Sequence, residues 1–62
     1  SDVTQILPQS GRYAACAYLQ TGAVIPVLVM VTDTLLEVFE ATAAAPLAVG
    51  TVICKLEFIR KE

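Results

Sequence analysis

Residues 13–32, YAACAYLQTGAVIPVLVMVT, decide the fold, because they carry no charged side chain and hold a single polar break, Gln20-Thr21-Gly22. A run this long could span hydrocarbon as a helix. Its second half argues otherwise. Val24, Ile25, Val27, Val29 and Val31 are β-branched, a shape that suits the pleated surface of a sheet, and Pro26 would interrupt a helix. Arg12 on one side and Asp33 on the other supply no cationic bias to orient a span. The stretch therefore reads as two strands, 12–19 and 23–32, joined where Gly22 can take the positive φ of a tight turn. A membrane hairpin ranks last among the readings.

If the hairpin closes symmetrically at Thr21-Gly22, Tyr13, Ala15, Ala17 and Leu19 share a face with Val24, Pro26, Leu28 and Met30. Ala14, Cys16 and Tyr18 then share the other with Ile25, Val27, Val29 and Val31. Both faces are apolar, whereas a hairpin with one wet side alternates polar and apolar residues. One face is expected to form the core, with Val24 and Leu28 inside. The other is expected to meet a partner through Tyr18, Ile25, Val27 and Val29. Pro26 cannot donate to a ladder, so it marks an edge or a bulge.

The rest of the chain divides by its turn residues. Residues 3–7 suggest a short strand ended by Pro8 and Gln9-Ser10-Gly11. Residues 34–45 carry two signals. Thr34-x-x-Glu37 fits a capping box for a short helix over 34–45, while closure of a small sheet favours a strand over 34–41. Strand is preferred. Residues 46–50 read as a turn into a last strand, 51–60, in which Val52, Cys54, Leu56 and Phe58 alternate with Ile53, Lys55, Glu57 and Ile59. Lys55 and Glu57 mark the wet face. The fold class expected is mainly β: one small domain over residues 1–62, a sheet or barrel-like fold of about four to five strands, with α+β as the alternative.

A 62-residue chain is near the size at which one hydrophobic core becomes marginal. Such chains close the gap with disulfides, a metal or association. There is no His, and the only cysteines are Cys16 and Cys54, so one copy offers no closed zinc set. One Cys16–Cys54 disulfide is open to the chain, since spacing does not decide it. Both cysteines lie in apolar runs, however, where a free thiol behaves as a small hydrophobe, and that reading is preferred. Absence of His also removes the commonest general base, and the scattered carboxylates Asp33, Glu37 and Glu40 read as surface charge. No enzyme activity, cofactor or small-molecule ligand is expected. Arg12, Lys55, Arg60 and Lys61 are too few to track phosphates at net charge −2, so nucleic acid is not expected either.

The run from Arg12 through Val29 and Asp33 to Leu47-x-x-Gly50-Thr51-Val52 resembles the spacing in PilZ-type small barrels. That resemblance implies a barrel scaffold and a cyclic dinucleotide held by an Arg-x-x-x-Arg and an Asp-x-Ser-x-x-Gly segment. Arg12 has no second arginine at that spacing, and Asp33-Thr34-Leu35 lacks the serine and the glycine. The resemblance covers scaffold, not ligand site. The function expected is a non-catalytic module that self-associates or docks on a larger assembly, such as an accessory or cement subunit of a phage or virus-like particle. Its alternative is a small barrel-type sensor or inhibitor in which Arg12 and the C-terminal basic residues meet an anion. With no basic leader in the first ten residues, a cytoplasmic or virion-associated location is expected.

Overall fold

The computed structural model describes residues 9–43 and 45–62. They form four strands, β1 (Gly11–Leu19), β2 (Val24–Val31), β3 (Leu36–Glu40) and β4 (Ile53–Lys61), with no helix among the described residues. All pairings are antiparallel in one open sheet of order β3-β2-β1-β4. The mainly β fold class is as expected, realised as an open sheet. The strand anticipated at 3–7 lies outside the described residues. No helix of the chain's described part is long and apolar enough to cross a membrane.

The 13–32 stretch is a hairpin, but its register differs by one residue from the symmetric closure. Leu19 N–H donates to Ala23 C=O at 2.8 Å, and Gly22 N–H donates to Leu19 C=O at 2.9 Å. Three residues, Gln20, Thr21 and Gly22, therefore form the loop, with Gly22 at φ 95°. That is the three-residue hairpin in which a left-handed glycine follows the turn. An extra loop residue inverts the facing of one strand relative to the other. Tyr18 accordingly pairs with Val24, Ala17 with Ile25, Ala15 with Val27 and Tyr13 with Val29. Val24 and Leu28, expected inside, lie on the opposite face.

A methyl group added at Gly22 would touch nothing within 4 Å, so only its backbone angle would suffer. Gly22→Ala is expected to cost about 1 kcal/mol and to lower Tm by roughly 4–8 °C. Thermal unfolding followed by circular dichroism measures this, and an unchanged Tm would contradict the left-handed turn.

Helix loses to strand over 34–45 because the polar residues there close a turn. Thr32 N–H and Oγ1 both donate to Leu35 C=O, at 2.8 and 3.3 Å, leaving Asp33-Thr34 at the tip. Leu36–Glu40 then satisfies the backbone groups that β2 presents over Val27–Val31. Pro26 sits one step beyond the last β3 pair, Val27 with Glu40. Its carbonyl accepts from Ala41 N–H at 3.3 Å on the β3 side, and its missing donor faces that same side just past the end of β3, so the ladder is interrupted only where it ends. Within a central strand, Pro26 thus occupies a local edge.

After β3 the chain doubles back. Glu40 N–H donates to Ala45 C=O at 2.8 Å, and Phe39 forms a single antiparallel bridge with Pro46. A turn from Ala48 to Thr51, closed by Thr51 N–H on Ala48 C=O at 3.1 Å, leads into β4. β4 pairs with β1 through two register shifts, which leave Cys54 and Ile59 without partners on β1. The first bulge resets the alternation. Ile53 joins Leu56 and Phe58 on the core side in place of Cys54, while Lys55, Glu57 and Arg60 face outward.

The core is small in membership and in volume. Only Tyr13, Ala15, Ala17, Val27 and Val29 are buried among the described residues. Leu19, Ile25, Val31, Val38, Leu47, Ile53 and Leu56 pack around them, half-buried. Alanines at positions 15 and 17 leave room for that surrounding ring of larger aliphatics. Tyr13 closes one end, its ring edge-on to Phe58 at 5.3 Å and its hydroxyl donating to Gln9 C=O at 2.6 Å.

Candidate interaction surface

The register fixes what the second face of the sheet carries. In rows across β3, β2 and β1, Glu37 adjoins Met30 and Arg12, and Phe39 adjoins Leu28 and Ala14. Further along, Pro26 adjoins Cys16 and Val24 adjoins Tyr18. β4 adds Arg60 beside Ala14, Glu57 beside Cys16 and Lys55 beside Tyr18. The centre of this outer face is therefore apolar, and charges stand around it, Glu37 on β3, Arg12 at the start of β1, and Lys55, Glu57 and Arg60 on β4. Ala14, Cys16, Leu28, Met30 and Phe39 are half-buried, while Val24 and Pro26 are exposed. Arg12, Leu28, Met30 and Phe39 line a shallow depression of about 260 Å³.

Of the four residues expected to meet a partner, only Tyr18 lies on this face. Val27 and Val29 are buried in the core, and Ile25 packs against it from the same side. The grouping of Tyr18 with Ile25, Val27 and Val29 is thus corrected, for the reason given by the three-residue loop. The residues that replace them, Leu28, Met30 and Phe39, follow from the same shift. β1 keeps the phase expected of it, with odd-numbered residues inward.

Tyr18 organises the margin next to β4. Its hydroxyl donates to Glu57 Oε1 at 2.9 Å, and Lys55 Nζ lies 5.1 Å from its ring centroid. The hydrogen bond to Glu57, and then the carboxylate's charge, raise the Tyr18 phenol above its ordinary value of 10.0. The folded chain holds this proton more tightly than the unfolded chain. Its contribution to stability is therefore present below pH 10 and is lost as pH rises through the folded-state value. Tyr18→Phe is expected to remove that component. Denaturant midpoints from about pH 9 to 11 should fall less steeply in the variant than in the parent. Identical slopes would exclude the contribution.

The chemistry-bearing residues are dispersed. Cys16 and Cys54 are free thiols. Cys16 faces Glu57, three residues along β4 from Cys54, or about 10 Å, beyond the separation that a disulfide bridges. Among the described residues no group of three or more His, Cys, Asp or Glu side chains gathers to hold a metal. The basic residues also separate. Arg60 Nη2 lies 4.0 Å from Glu62 Oε2, Lys55 lies over Tyr18, and Lys61 pairs with Tyr13 towards the core side. Arg12, Arg60 and Lys55 lie on the outer face, but Lys55, beside Tyr18, stands at the end of it away from Arg12. Comparison with protein-family models, curated proteins and solved structures finds no match to this chain.

Proposed function

We propose that this chain is a non-catalytic β interaction module that covers the outer face of its sheet by self-association or by docking on a larger assembly. An accessory or cement subunit of a virus-like or other multi-subunit particle is the kind of role that fits. One observation carries the reading: the face opposite the core is apolar along the whole of β2, from Val24 and Pro26 to Leu28 and Met30, and beside it at Phe39 on β3 and at Ala14 and Cys16 on β1, with Arg12 as the one charge on the central strands. In a sheet packed on one side only, that face carries polar residues. The inner core adds weight, since its largest fully buried side chains are two valines. A core of that size supplies little margin for a lone small domain, and a second apolar surface is available to enlarge it. The margins, with Glu37 on one side and Lys55, Glu57 and Arg60 on the other, correspond to the polar rim of a protein interface.

Mass in solution by light scattering tests the self-association branch. A mass above 6.6 kDa that depends on concentration is expected. A strict monomer at every concentration would leave only a heterologous partner.

A further inference from the structure

The two edges of the sheet are not alike. The outer edge of β3 is met by the chain itself, through Glu40 N–H to Ala45 C=O and the Phe39–Pro46 bridge. Along the outer edge of β4, none of the described residues offers a backbone partner. We propose that this edge pairs antiparallel with the β4 edge of a second copy, in a single register centred on Leu56. The proposal rests on the reading of the chain as an interaction module and adds to its apolar face a second surface, the β4 edge, with one partner.

The direction of the backbone groups selects Leu56. Leu19 N–H donates to Ala23 towards β2, whereas Gln20 N–H donates to Val52 C=O towards β4. By this alternation Ala17 directs its groups at β2, and Leu56, opposite Ala17, turns its own N–H and C=O away from the sheet. Lys55 and Glu57, opposite Tyr18 and Cys16, direct theirs at β1.

Side-chain charge then selects the register. Between the two bulges, residues 55–58 pair regularly with β1. A two-fold axis normal to the sheet keeps the two core faces together only if it passes through a residue. An axis at Lys55 or at Glu57 would set a charge against its own copy. An axis at Phe58 would set Lys55 against Lys61 and carry the pairing across the bulge at Ile59. An axis at Leu56 sets Lys55 opposite Glu57 twice, on the outer face, with Leu56 against Leu56 on the core side. Cross-strand pairs of opposite charge favour pairing, and like charges oppose it. Tyr18 holds both Lys55 and Glu57 in place before the partner arrives.

Sedimentation of the full chain at low salt, from micromolar to millimolar concentration, tests the register through charge exchange. The parent chain is expected to form a dimer. Lys55→Glu or Glu57→Lys alone should raise the dissociation constant about tenfold or more, and the double variant K55E/E57K should restore it to within about threefold. Circular dichroism melts of each variant identify any that fail to fold; the double variant, which keeps the composition, then carries the comparison with the parent. A parent chain that stays monomeric overturns the proposal, as does a dimer indifferent to the single exchanges. In the latter case, dissociation by a change on the apolar face would leave the module reading standing without the edge pairing.

Discussion

Val27→Asp is expected to leave the chain without a cooperative fold at 25 °C. Val27 is one of the two largest fully buried side chains, paired with Ala15 on the core side of the two central strands. Its surroundings are aliphatic apart from Glu40, its cross-strand partner on β3, so a carboxylate there would lose its hydration beside a like charge, with no cation or donor to replace it. An unpaired buried charge costs several kcal/mol. A domain of this length has only about 3–9 kcal/mol of total stability. Val27→Ala separates charge from packing, since it removes two methyl groups for roughly 2 kcal/mol and should still fold. Far-ultraviolet circular dichroism and the dispersion of amide resonances report the result. A folded Val27→Asp chain would mean that β2 faces the other way.

The neighbouring change should behave oppositely. Leu28→Asp alters the outer face, between Ala14 and Phe39, and its carboxylate can reach water. The variant is expected to keep its sheet, with a loss of stability of about 1 kcal/mol from the apolar contact given up. Association through the apolar face should instead be reduced by at least tenfold, because the charge would be buried at the centre of the contact. Light scattering at matched concentrations measures it. A Leu28→Asp chain that associates as the parent does would remove this face from consideration. Two adjacent residues thus give contrasting outcomes, unfolding at Val27 and dissociation at Leu28, and the contrast itself checks the strand phase.

That phase was the point at which residue patterns stopped being informative. In β1, Arg12 is the only charged residue, and it labels the even-numbered side as the outer one. In β2, Val24–Val31 contains no polar residue at all, so either face could be buried and the loop length alone decides. One glycine in a three-residue rather than a two-residue loop moved Val27 and Val29 from an expected contact surface into the core. The hairpin, its location and its apolar character on both sides were legible; which residues formed which side was not. β4 repeats the lesson. Lys55 and Glu57 identified the wet face, but the bulge at Cys54 exchanged Cys54 and Ile53. A bulge leaves no mark in composition. Over 34–45, Thr34 and Glu37 could cap a helix, and the requirement that β2 be paired outweighed that local preference. Met30 and Phe39 emerged as surface residues only once the β2–β3 register was known.

The bridge between Phe39 and Pro46 has a bearing on how far assembly can proceed. An open sheet with two bare edges is a template for unlimited growth, each added copy presenting a fresh edge to the next. Here the chain's own residues 45 and 46 cover the Phe39–Glu40 end of one of them, the β3 edge. Joining two β4 edges about a two-fold axis would consume the edge that the described residues leave open on both copies, and present only the short, partly covered β3 edges. Growth by strand addition would then have only a short, partly covered strand to proceed from, which favours a closed dimer over a filament.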